Sequence, residues 1–141
     1  MLIFESPDVI RIFYEKDNEV IIHEWLDYNP ENTNNDFILE ILQKIYDIFL
    51  THPVAKVIVK VDQAKGAFTP EVQQYIGKVQ FPRILANTGV RYVATIHSEQ
   101  EMKQMSKLLW QKRFKKDDKV ILHDVFSEQE ARDWLNTVDS V

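Results

Sequence analysis

Along this chain, apolar positions recur first at the period of a strand and then at that of a helix, and each change of period marks an element. Val9 to Tyr14 and Glu19 to Trp25 are β-rich runs on either side of the polar turn Glu15-Lys16-Asp17-Asn18, which predicts an antiparallel hairpin. A loop dense in turn and capping residues follows, from Asn29 to Asp36. Phe37, Ile38, Ile41, Leu42, Ile45, Tyr46 and Phe49 then form a wide apolar stripe at helical spacing, and Glu40 and Lys44 make an exposed i,i+4 pair. Pro53 ends that helix. Val54 to Val61 is short, β-branched and almost continuously apolar, as a strand covered on both faces is. Lys60 breaks the run near its exit, where its stem can lie on apolar surface while the ammonium reaches water.

Thr69-Pro70-Glu71 reads as a helix start, with an N-cap, a proline at the first helical position and an acid in the first turn. Val72, Tyr75, Ile76 and Val79 continue it. Pro82 is expected to interrupt the helix, with a shorter turn around Ile84 and Leu85 that closes at Gly89. Val90 to His97 is a further strand. Ser98 to Glu101 fits a capping box for a helix whose buried face is Met102, Met105, Leu108 and Leu109. Val120 to Phe126 is the last strand, and Ser127 to Glu130 opens a closing helix carrying Ala131, Trp134, Leu135 and Val138 at helical spacing. The order is β-β-α-β-α-β-α-β-α. It predicts an α/β fold with a mixed sheet of four to five strands, largely parallel with an antiparallel edge hairpin, packed with about four helices. No linker or repeat divides it, so residues 1–141 are expected to form a single domain.

Composition narrows the function classes. The absence of cysteine removes disulfides, thiolate nucleophiles and thiolate metal sites. The opening MLIFESPD does not read as a signal peptide, no apolar run approaches membrane-spanning length, and there is no Asn-x-Ser/Thr sequon. A cytoplasmic protein without stable membrane insertion is expected. A net charge of −5 argues against a nucleic-acid partner. The basic run Lys112 to Lys116 follows a predicted helix, where cations suit the negative end of the dipole, and Asp117 and Asp118 come straight after.

The candidate chemistry is sparse. Asp62, Gln63, Lys65 and Thr69 line the loop after the most apolar strand, where α/β folds keep working residues, and form a candidate interaction or regulatory loop. Thr69 reads first as a plain cap and second as a phosphate acceptor at a helix N-terminus. Asp62 reads first as an acceptor for loop amides, since no second acid stands at a spacing that would pair with it. Trp25 and Tyr28 flank a polar loop and are candidate ligand or interface aromatics, against the alternative of edge packing. His23, His52, His97 and His123 show no metal-ligand spacing, although His97 and His123 could be neighbours in the sheet. Ser98 and Ser106 lack a nucleophile elbow, and three glycines make no phosphate cradle. No catalytic set, metal site or cofactor is expected.

The order of elements and three local patterns resemble the STAS superfamily (sulfate transporter and anti-sigma-factor antagonist domains), within it the SpoIIAA-like proteins. The patterns are VIIHEW from Val20, followed by a polar loop and a long apolar helix; FPRILANTGVRYVATI from Phe81 to Ile96; and VFSEQEARDWL from Val125 to Leu135. The resemblance covers nearly the whole chain. It implies a sheet packed with helices and a non-enzymatic role, with an uncharacterised hydrolase or transferase as the remote alternative. Antagonist-type members are switched by phosphorylation of a serine after an aspartate, in an Asp-Ser-x-Gly setting. Here Asp62 is followed by Gln63, Ala64 and Lys65, so the serine is missing. Other SpoIIAA-like members hold apolar cavities. The expectation is a recognition module for a protein partner or a homodimer, the alternative a carrier or sensor of a small apolar, lipid-like ligand.

Overall fold

A computed structural model describes residues 1–27, 35–63, 69–97 and 121–138 of the chain. Strands β2 (Ile10–Glu15) and β3 (Val20–Trp25) pair antiparallel from Ile10 opposite Trp25 to Glu15 opposite Val20, the hairpin that alternation foretold. Glu19, in its turn, is left-handed, with φ of 53°.

The strand order is sequential, and the sheet has six strands rather than the four to five expected. The additional strand is β1 (Leu2–Ser6), antiparallel to β2 at one edge with a register shift between Leu2 and Phe4. Its five residues have one neighbouring strand, so backbone pairing and not a strong apolar pattern defines it. The Met1 ammonium donates to the Tyr14 carbonyl at 3.1 Å and Tyr14 N–H returns a bond to Met1 at 2.8 Å. Between β1 and β2 the chain turns through Pro7 and Asp8. Val9 N–H reaches the Ser6 carbonyl at 3.0 Å, and Asp8 takes the positive φ of 65° that the third position of a type II turn requires.

On the other side of β3, strands β4 (Lys56–Lys60), β5 (Tyr92–Ile96) and β6 (Ile121–Val125) are each parallel to the one before. Parallel strands added in one direction by right-handed crossovers place the connecting helices on one face. Accordingly α1 (Asn35–Thr51) lays Ile38, Ile41, Leu42, Ile45, Ile48 and Phe49 on Ile10, Ile12, Ile21 and Val57, beside Val72 and Ile84 of the next crossover. The opposite face is covered by the closing helix α4 (Glu128–Val138). Its Ala131 and Leu135 pack on Ile22, Ile58, Ala94 and Val125. Ile12, Ile21 and Ile58 are fully buried, each contributing ~1.5–3 kcal/mol relative to exposure. β4 was legible as a nearly continuous apolar run because both faces of the sheet are used.

The helix from Thr69 differs from its sequence reading. Pro82 does not break it: α2 (Pro70–Tyr75), one π turn (Ile76–Gln80) and α3 (Phe81–Asn87) run on as one helical segment. In a regular helix the proline ring would strike the carbonyl four residues back. The π turn widens the coil just before it, and Phe81 N–H bonds to Ile76 five residues back. Three helical segments, α1, the α2–π–α3 run and α4, stand among the described residues. The helix expected to follow Ser98, with Met102 and Met105, lies outside them.

Candidate functional site

The parallel strands β3 to β6 end at a common edge of the sheet, and the loop singled out above opens there. Thr69 is the N-cap of α2: its backbone is extended, and its Oγ1 accepts the Val72 N–H at 3.3 Å. Asp62 leaves β4 partly buried, and its Oδ1 is inaccessible to solvent without a hydrogen-bond partner among the described residues. The loop amides it is expected to accept from belong in large part to residues 64–68, which lie outside the described residues. Gln63 beside it is exposed, whereas Lys65 lies outside the described residues, as do Tyr28 and the basic run from Lys112 to Lys116.

Trp25 ends β3 in the core, only 4% exposed, so its ring serves packing. Just past the end of β5, His97 is 2% exposed and its Nε2 stands 2.9 Å from Asp124 Oδ1. That pair was not foreseen, because it depends on the register that sets Ile96 opposite Val125. His123 does neighbour β5, opposite Ala94, but its ring stacks on Trp134 at 4.8 Å and does not join His97. Among the described residues no three His, Asp or Glu side chains are grouped to hold a metal ion.

His23 lies deeper, on the α1 face of β3. It is buried against the Phe49 ring at 5.4 Å, and its Nε2 has no partner among the described residues. Burial alone drives its pKa down to about 4, so the imidazole is neutral at pH 7.

On the opposite face a chain of ion pairs crosses from the sheet to α4. Arg11 meets Glu24 at 3.2 Å, Glu24 meets Lys60 at 3.4 Å, and Lys60 meets Glu128 at 3.5 Å. Arg132 contacts Glu128 at 3.1 Å and grips Glu15 with both Nη groups, at 2.8 and 2.7 Å. That fork, ahead of the opposing cost of burial, holds the Glu15 carboxyl down at about 2 and raises the Arg132 guanidinium. The ammonium of Lys60 therefore ends on two carboxylates rather than in open water. Its position near the strand exit was readable in sequence; its partners, one on β3 and one on α4, were not.

A third polar group lies between α1 and the π turn. Gln80 is buried, donates its Nε2 to the Leu42 carbonyl at 2.9 Å, and receives Arg83 on its Oε1 through Nε at 3.1 Å and Nη2 at 2.5 Å. The Arg83 guanidinium lies over Tyr46 at 4.3 Å and over Tyr75 at 5.8 Å. No helix of the described residues is long and apolar enough to cross a membrane.

No family model matches the sequence, and no curated protein matches it. Its fold, however, is similar to the crystal structure of an uncharacterized protein of the DUF3478 family from Shewanella loihica PV-4, described as having a SpoIIAA-like fold. The likeness covers 90% of this chain and 92% of that one with a TM-score of 0.57, at 12% sequence identity. That similarity, with the sequential sheet and the helices on its two faces, shows that the chain has a SpoIIAA-like fold.

Proposed function

We propose that residues 1–141 act as one SpoIIAA-like module that recognises a protein partner, or a second copy of itself, through the loop and helix beginning at Asp62, without catalysing a reaction. The observation that carries this reading is Asp62 itself. Among the described residues its buried Oδ1 meets no donor, a lack that costs ~1–3 kcal/mol, and it lies at the carboxyl end of a parallel strand, where α/β folds bind their ligands. An incoming N–H would recover that cost. Gln63, Lys65 and Thr69 belong to the same loop in sequence and are proposed to offer further polar contacts. The imidazole–carboxylate pair supports a structural role, since His97 is sealed from solvent and its Nε2 is committed to Asp124. The Ser127 hydroxyl is likewise committed, accepting the Glu130 N–H at 3.2 Å as the cap of α4.

The test is affinity capture with the wild type and a Gln63→Ala/Thr69→Ala variant, followed by reconstitution from purified components and a parallel light-scattering mass. A partner, or a concentration-dependent dimer, whose affinity drops about tenfold or more in the variant supports the reading. A monomer with no reconstituted partner refutes it. An organic adduct kept through native mass spectrometry would instead favour the carrier of a small apolar ligand.

A further inference from the structure

Arg83, in the Phe81-Pro82-Arg83 stretch, touches no carboxylate among the described residues. Its hydrogen-bond partners are amide oxygens: Gln80 Oε1 receives Nε and Nη2, and Gln43 Oε1 receives Nη1 at 2.7 Å. A guanidinium has five N–H groups, so one on each Nη is left over, and two such groups fork onto a pair of oxygens. The side chain is half-buried and fixed in direction by the two glutamines and by the Tyr46 and Tyr75 rings. Gln80, its main support, is itself anchored in the core through Leu42. The π turn is what delivers Gln80 and Arg83 to this place, and π turns inside helices are frequent at functional sites. Asp47 of α1 is linked to it through an amide: Gln43 Nε2 donates to Asp47 Oδ1 at 3.0 Å while its Oε1 serves Arg83.

We propose that Arg83 is the anchor of a binding site for a carboxylate, presented by an acidic segment of a protein partner and flanked by Tyr46 and Tyr75. Three observations select that ligand. The remaining N–H groups match two oxygens. Arg83 is the one cation in contact with these groups among the described residues, so a single negative charge balances it better than a phosphate dianion. Tyrosine and arginine in a fixed cluster are also the residue types that dominate protein–protein affinity. The proposal rests on the recognition reading for its protein partner, but the site is separate from the loop at Asp62 and is tested separately.

The experiment is an NMR titration of the ¹⁵N-labelled full chain at low ionic strength, with a blocked tetraglutamate peptide, sodium acetate and sodium phosphate as probes. The expected result is saturable shifts of the Arg83 Nε–H and of the Gln80 and Tyr75 amides with the peptide. Arg83→Gln should weaken binding by about tenfold or more, and Arg83→Lys, which keeps the charge without the fork, by a smaller factor. Asp47→Asn, on the far side of Gln43, should tighten it by about threefold as a like charge is removed. Should Arg83→Gln fail to fold, the Lys and Asp47→Asn variants carry the test. Shifts spread over all surface lysines, or unchanged by Arg83→Lys and Asp47→Asn, would overturn the site. Acetate or phosphate binding as tightly as the peptide would overturn the acidic-segment assignment. Because none of these probes requires an intact contact at Gln63 or Thr69, loss of the loop's role leaves the titration unaffected.

Discussion

His23→Leu should make the protein both more stable and less acid-sensitive. The imidazole is buried under α1 beside Phe49, and its Nε2 makes no hydrogen bond among the described residues. Replacing it with an apolar side chain of similar bulk removes an unsatisfied polar atom, worth ~1–3 kcal/mol near neutral pH. The pH effect is separate. In the unfolded chain the group titrates near its ordinary 6.5, whereas in the fold burial holds it at about 4. Between those values the unfolded state binds the extra proton. The wild type therefore keeps this share of its stability above pH 6.5 and loses it as pH falls toward 4, by ~3 kcal/mol at 1.36 kcal/mol per pKa unit. Urea unfolding followed by tryptophan fluorescence at intervals from pH 7 to pH 4 would give both curves. The difference between variant and wild type should widen steadily across that range. A constant difference would mean that His23 finds a proton acceptor or water in the fold, and the argument from its burial would fail.

The ion pair of α4 has its own window. Glu15 is held at about 2 against an ordinary 4.5, so its contribution is complete above pH 4.5 and disappears as pH falls toward 2. Both partners are nearly a third exposed, which discounts the pair for screening. Arg132→Met should cost ~1–2 kcal/mol at pH 7 in denaturant midpoints and little at pH 2. Glu19→Gly, at φ of 53°, should raise stability by ~0.5–1 kcal/mol in the same assay, because a left-handed backbone costs glycine nothing. Thr69→Ala should lower the melting temperature through loss of ~1 kcal/mol of capping, and Thr69→Ser should restore it.

What sequence could and could not reveal divides along contact distance. The stripe from Phe37 to Phe49, the run from Val54 to Val61 and the Thr69-Pro70-Glu71 start are local signals, and the structure places a helix over the first, a strand at Lys56–Lys60 within the second and an N-cap at the third. Leu2 to Ser6 carried too few residues and too weak an alternation to declare a strand; its pairing is supplied by β2. Pro82 was read by the rule for a regular helix, and the rule was evaded by changing the helix type for one turn. At the candidate site the limits are sharper. Asp62 and Thr69 stood out by position, but the unsatisfied Oδ1 is a property of burial. His97 with Asp124, Gln80 with Leu42, and Arg83 with Gln43 are separated by between 27 and 40 residues, and periodicity contains no information about such partners.

The sequential sheet has a consequence for how the chain assembles. Each strand pairs with the one made just before it, so a chain emerging from the ribosome can extend the sheet outward from β1 without rearranging what exists. The fork between Arg132 and Glu15 is the exception, joining residues 117 apart. It spans the other face back to the first hairpin, and needs α4 to be in place. A chain stopped before α4 would lack the Ala131 and Leu135 that pack on Ile22, Ile58 and Ala94, and would be more exposed to aggregation through that apolar surface. The last eleven-residue helix thus acts as the clasp of a fan: it adds no blade, but it decides whether the open fan is a finished object.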